Sequence, residues 1–131
     1  MKGHLVKIDI DLDNTINENA TTVAFFAFIT NAFRGNSEIY IITNRDEDDY
    51  DATVDELDEL GIHYDYLVIT ADKERVILDN DISIYFDDTD EYFINLPETV
   101  TVFKIREGGN FDFLKHKWIY GSKTGFDINR K

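Results

Sequence analysis

The chain has 131 residues, 43% of them hydrophobic and 14% aromatic, which suffices for one domain with a buried core and argues against disorder. It has no cysteine, which excludes a disulfide framework and thiolate metal sites. Its net charge of −14 is uneven: residues 1–103 carry 24 acidic and 6 basic side chains, residues 104–131 carry 3 and 7. A field of that sign opposes loose nucleic-acid binding, yet a local phosphate site can still form around bound metal and a few cations.

No apolar run approaches the roughly 18 residues of a membrane span, and Met1–His4 lacks the apolar core of a signal peptide, so a cytoplasmic protein is expected. The first predicted strand runs from Leu5 to about Asp11 and ends in carboxylates, Asp11 and Asp13, with Thr15 two residues on. In an extended segment, residues i and i+2 share a face. Carboxylates held that close raise each other's pKa, so keeping them points to a cation or a reaction. Oxygen ligands at a strand's C-terminal end suit Mg²⁺.

A polar loop, Asn14 to Asn19, leads into a helix over about 20–33, with Thr21 or Thr22 as its cap and Gly35 beyond its end. Val23, Phe25, Phe26, Phe28, Ile29, Ala32 and Phe33 make it apolar almost all round. Such a helix is heavily buried or partly covered by a partner.

The second strand, Glu38 to Thr43, is apolar enough to be covered on both faces. Asn44 and Arg45 follow, then an acidic helix over about 47–60 that Gly61 ends. Its inward stripe is Val54, Leu57 and Leu60, and its carboxylates read as a solvated face. A third strand spans about 66–70, a short helix about 72–78, a fourth strand Ser83–Phe86, a short helix about 90–95 and a fifth strand 99–105. Alternating strands and helices specify an α/β fold with a parallel sheet and right-handed crossovers. Beyond Gly108-Gly109, Lys117–Tyr120 and Phe126–Ile128 flank a glycine-containing loop and read as a β-hairpin. The whole reads as one domain over 1–131, with a core of about 4–105 and a basic segment of about 106–131.

In an open parallel sheet, ligands bind beyond the carboxyl ends of the strands. The polar residues there fall into line: Asp11, Asp13 and Thr15; Thr43, Asn44 and Arg45; Asp72 and Lys73; Asp87 and Asp88. The order Asp-x-Asp-x-Thr, apolar strand plus Thr, Lys, then apolar strand plus Asp-Asp resembles the haloacid dehalogenase superfamily of phosphatases over roughly residues 5–105. That resemblance implies a Rossmann-like three-layer sandwich with a five-stranded sheet in the order 5-4-1-2-3, and a Mg²⁺-dependent phosphomonoester hydrolase.

Carried over residue by residue, it implies that Asp11 is the nucleophile, forming an aspartyl-phosphate, and that Asp13 is the general acid and base. Lys73 neutralises charge, with Arg75 as the alternative cation. Thr15, Thr43, Asn44 and Arg45 serve the phosphate or substrate, although Arg45 is equally able to pair with Asp46 or Glu47. Mg²⁺ would be held by Asp11, Asp13 (through its main-chain carbonyl), Asp87 and Asp88. Residue 14 is Asn where glycine is common, which a left-handed backbone tolerates. Asp9 stands where the family usually has an apolar residue, and the sequence assigns it no role.

Only 27 residues separate Thr15 from Thr43 and 29 separate Thr43 from Lys73, which leaves no room for a cap domain. The site is expected to be open and to take a small phosphorylated substrate such as a nucleotide. Alternatives are a polynucleotide 3′-phosphate end, a phosphoprotein, or a non-catalytic phosphate-binding or assembly module that docks through the Phe-rich first helix. For the polynucleotide end, the basic and aromatic tail (Lys115, His116, Lys117, Trp118, Tyr120, Lys123) is the feature in favour; hairpin packing is the simpler use of Trp118 and Tyr120.

Overall fold

The computed structural model describes residues 5–119. Five parallel strands form one sheet: β1 (Val6–Ile10), β2 (Ser37–Thr43), β3 (Tyr66–Ile69), β4 (Ile84–Asp87) and β5 (Thr101–Lys104), in the spatial order β3-β2-β1-β4-β5. This is the expected sheet. Registers such as Ile8 beside Ile39 and Ile84 stack aliphatic residues in rows across it. β1 and β2 run down the middle, so both their faces are buried and their sequences are near-continuously apolar.

Two helices, α1 (Ala20–Ala32) and α2 (Tyr50–Leu60), cover one face. Phe26 and Leu57 pack there with Ile8, Ile10, Ile39 and Ile41. A third, α3 (Lys73–Asp79), covers the other, where Ile77 meets Tyr40, Ile42 and Tyr85. The N-cap of α1 is Asn19, one residue before the helix rather than Thr21 or Thr22. Its side chain accepts from the Thr22 backbone N–H while the Thr22 hydroxyl accepts from the Asn19 N–H, so Thr22 closes a reciprocal box as the third helical residue. Only Phe26 and Thr30 of this helix are buried, while Phe28 remains 73% exposed. The predicted acidic helix opens with a 3₁₀ turn, Glu47–Asp49, before α2 proper, and Gly61 ends it at φ 74°. The predicted short helix after the fourth strand is a single 3₁₀ turn, Asp90–Tyr92.

A small antiparallel hairpin follows the sheet. It pairs β6 (Phe111–Asp112) with β7 (Lys117–Trp118), so the partner of Lys117–Trp118 is the preceding segment. The predicted arm Phe126–Ile128 lies outside the described residues. Phe111 meets Phe113 and Trp118 edge-on, and the Lys104 ammonium sits 4.1 Å from the Trp118 ring centroid, so Trp118 is engaged in packing. Among the described residues no helix is long and apolar enough to cross a membrane.

Candidate active site

β1 ends at Ile10, but its ladder runs one bond further, from the Asp11 N–H to the Phe86 carbonyl (2.9 Å). The chain then turns sharply over Leu12–Ile16. Asn14 adopts φ 60°, the left-handed conformation anticipated for an Asn there, and its N–H is held by the Asn17 side chain (2.9 Å). The turn brings Asp11 and Asp13 to the carboxyl end of the sheet. β2 delivers Thr43 and Asn44 beside them, α3 brings in Lys73 and β4 brings Asp87 and Asp88.

Lys73 is the hub. Only 2% exposed, its ammonium donates to Asp11 Oδ1 (2.7 Å) and Asp87 Oδ2 (2.9 Å) and lies 4.5 Å from the centroid of the Tyr92 ring. Burial opposes its charge, but Asp11 and Asp87 more than compensate and hold its pKa above the usual lysine range. Arg75, the alternative cation, is exposed and paired with Asp72. Burial pushes Asp11 up to about 7, with Lys73 opposing and Asp87 adding, and pushes Asp88 up to about 8, with Asp87 adding.

Asp87 accepts on both oxygens. Its Oδ1 accepts from the N–H groups of Asp88 (2.7 Å) and Thr89 (3.1 Å), and its Oδ2 accepts from Lys73 and from the Tyr85 hydroxyl. Asp11, Asp87 and Asp88 can each offer one oxygen within 4.8 Å of the other two, a buried set able to hold a metal ion. A cleft of about 250 Å³ opens over this set. It is lined by Asp11, Asp13, Thr43, Lys73, Asp88 and Tyr92 among others; Asp87 lies beneath it.

The remaining predicted residues take different places. Thr15 is buried under the nucleophile candidate, its hydroxyl 3.4 Å from Asp11 Oδ2. Asn44 lines the cleft and donates to the Tyr92 hydroxyl (3.2 Å) across its mouth. Arg45 pairs with neither Asp46 nor Glu47. It grips Asp13 in a two-pronged bond (2.9 and 2.7 Å) and reaches Glu56 (2.9 Å). Asp13, the nearer and geometrically matched carboxylate, wins the guanidinium fork. That hydrogen bonding draws the Asp13 carboxyl below its ordinary range, against the effect of burial.

Asp9 sits one tier lower. Its Oδ1 accepts from the Ile42 N–H (3.0 Å), and its Oδ2 has no hydrogen-bond partner among the described residues. Burial drives its carboxyl well above the ordinary range, with Lys73 opposing and Asp11 and Asp87 adding.

Three contributors carry no motif. Tyr92 forms a wall of the cleft from the 3₁₀ turn after β4. Asn110 is buried and clamps the hairpin to the site, donating to the carbonyls of Asp88 (2.9 Å) and Ile105 (2.9 Å). Glu56 belongs to the helix face that the sequence assigns to solvent. Each reaches the site through tertiary contact, which no pattern in the sequence signals.

No family model and no curated protein matches the chain. Among solved structures, it is similar in fold to a chain of a Pnkp1/Rnl/Hen1 complex, with a TM-score of 0.57 and 13% sequence identity. The match covers 79% of this chain and 47% of the other, so the chain spans about half the length of that neighbour.

Proposed function

We propose that the protein is a Mg²⁺-dependent phosphomonoester hydrolase of the haloacid dehalogenase type, acting through an aspartyl-phosphate on Asp11. The observation that carries this reading is one buried ammonium, Lys73, bridging Asp11 and Asp87 at the floor of an acidic cleft at the carboxyl ends of the strands. The neighbour's membership of a Pnkp1/Rnl/Hen1 complex adds the fold alone.

The donor set fits Mg²⁺. It is all oxygen and buried, and among the described residues Lys73 is the cation bonded to two of its three carboxylates; burial first, and Asp87 second, push Asp11 and Asp88 up. Asp11, Asp87, Asp88 and the Asp13 carbonyl would hold the ion. Asp87 also fixes Lys73 and the turn that presents Asp88. The bound ion would neutralise phosphoryl oxygens.

Asp11 then attacks phosphorus while Lys73 balances the charge on the transferring group. Asp13, held low by Arg45, takes up a proton from solvent before turnover, gives it to the leaving oxygen, and afterwards takes a proton from the water that attacks phosphorus and frees Asp11.

Lined chiefly by polar side chains, the cleft fits a small ester such as a nucleotide. A second reading, a polynucleotide 3′-phosphate end, draws on the exposed Lys115, His116 and Lys117 of the hairpin. The test is a phosphate-ester screen with nucleotides, sugar phosphates and 3′-phosphorylated oligonucleotides. Mg²⁺-dependent release of phosphate that chelation abolishes is the expected result. No release across the panel would reject the enzyme reading in favour of a binding module.

The same residues predict a coupling between pH and metal. In the folded, metal-free protein Asp11 and Asp88 keep protons that the unfolded chain releases near pH 4. More protons bound in the folded state make stability fall as pH rises from about 4 to about 8 and level off above that. Mg²⁺ binds the deprotonated pair, so saturating ion should raise the unfolding midpoint by several degrees at pH 8.5 and by about 1 °C or less at pH 5.5. Thermal unfolding with and without Mg²⁺ at both pH values measures it; equal shifts would remove Asp11 and Asp88 from the metal site.

A further inference from the structure

No residue of α2 is among those that line the cleft, yet the helix supplies two groups, Glu56 and Thr53, to a closed set of hydrogen bonds around Asp13. Glu56 Oε1 accepts from Arg45 Nη1 (2.9 Å), and Glu56 Oε2 accepts from Asn17 Nδ2 (3.2 Å). Arg45 donates to both oxygens of Asp13, and Asn17 Nδ2 also donates to Asp13 Oδ1 (3.2 Å). The result is a ring, Asp13–Arg45–Glu56–Asn17, drawn from the turn after β1, the end of β2 and the middle of α2. Thr53 backs it: its hydroxyl accepts from Arg45 Nη1 (3.0 Å) and donates to the Asp49 carbonyl (2.7 Å). Asn17 Oδ1 in turn holds the N–H of Asn14, the left-handed residue that aims Asp13.

We propose that Glu56 is a positioning residue for proton transfer at Asp13, acting through Arg45 and Asn17. The inference rests on the phosphohydrolase reading above and adds a residue to it. An arginine bound to a single flexible carboxylate can follow it or swing away. One pinned by Glu56 and Thr53 on its third nitrogen presents a fixed fork, so the Asp13 carboxyl is held in one orientation. Arg45 is thereby committed to Asp13 and leaves phosphate neutralisation to Lys73.

The proton step gives the role a signature. Asp13, whose carboxyl the Arg45 fork holds low, takes up a proton from solvent before turnover and delivers it to the leaving oxygen as Asp11 forms its bond to phosphorus and the bond to that oxygen breaks. An alkoxide leaves poorly without the proton, whereas p-nitrophenolate leaves well without it. Misplacing Asp13 therefore penalises alkyl esters selectively, which general damage to the site does not.

The experiment compares Glu56→Gln with the unmodified chain on p-nitrophenyl phosphate and on an alkyl phosphate such as glycerol phosphate, at saturating Mg²⁺. The expected result is a fall in kcat of about tenfold or more on the alkyl ester and about threefold or less on the aryl ester, with KM within about twofold on both. Thr53→Val should move both in the same direction by less, and it carries the test if Glu56→Gln folds poorly. Equal losses on the two esters, or no loss on either, would overturn the proposal. An Asp11→Asn control separates the layers: if it keeps turnover, the hydrolase reading falls. If it is inactive while Glu56→Gln shows equal losses, only the role of Glu56 falls.

Discussion

Asp11→Asn is expected to lower turnover of p-nitrophenyl phosphate by at least ~10³-fold while leaving the protein as stable as before or more so at pH 8. The amide cannot attack phosphorus, and it removes one of the oxygens that would hold the ion. The stability side follows from the pKa of about 7, set first by burial and then by the balance of Lys73 against Asp87. Ionising Asp11 in the folded state costs free energy across the window from about pH 4 to about pH 7. An uncharged isostere escapes that cost, by on the order of 1–2 kcal/mol at pH 8 and by nothing near pH 4. Denaturant unfolding at the two pH values reads the difference, and phosphate release reads the activity. A mutant that kept wild-type turnover would remove Asp11 as the nucleophile.

Lys73→Met should do the opposite to stability. Methionine fills the space of the lysine stem, so the main loss is the ammonium between two buried carboxylates. Breaking a buried pair by removing one partner leaves the other charges uncompensated, which costs about 3–5 kcal/mol. The deficit should be largest at pH 8 and shrink by pH 5, where Asp11 takes up a proton. Activity should fall by at least ~10²-fold, since among the described residues no other cation lines the cleft.

The double mutant Asp11→Asn/Lys73→Met should recover part of the stability lost in Lys73→Met, because it also removes one of the two buried carboxylate charges that the ammonium compensates. A coupling of about 1–3 kcal/mol in a double-mutant cycle is expected. Strict additivity would mean that the 2.7 Å contact contributes nothing to holding the site together.

Much of the architecture is written locally. β2 reads as a strand buried on both faces because Ile39 to Ile42 leave no polar alternation. Gly61 ends α2 where a left-handed residue is needed. Asp11, Asp13, Thr43, Lys73 and Asp88 line one cleft because the strands are parallel, which puts every carboxyl end on the same edge of the sheet. Motif order along the chain therefore becomes proximity in space without further information.

What the chain order does not contain is competition among partners. Arg45 has acidic neighbours at 46 and 47, but bonding is decided by fork geometry and burial, which favour Asp13, 32 residues away. Glu56 looks like one more carboxylate on a solvated face, because helical periodicity marks which side is polar but not what that side meets. Asp87 and Asp88 are adjacent and alike in sequence. Only the folded chain separates them, tying one to Lys73, Tyr85 and two backbone N–H groups and leaving the other facing the cleft.

The same holds for Asp9. Its alternation with Asp11 puts both on one face, but depth sets it apart: one tier below the cleft and wholly buried, its carboxyl is pushed well above the ordinary range. The sequence by itself determined the strands, which of them are buried, their parallel α/β arrangement and the residues at their carboxyl ends, since periodicity and the alternation of strands with helices are read along the chain, while the strand order came from the family resemblance. The tertiary structure alone decided which carboxylate binds which cation, because hydrogen bonding and desolvation depend on distances between segments that no local pattern encodes.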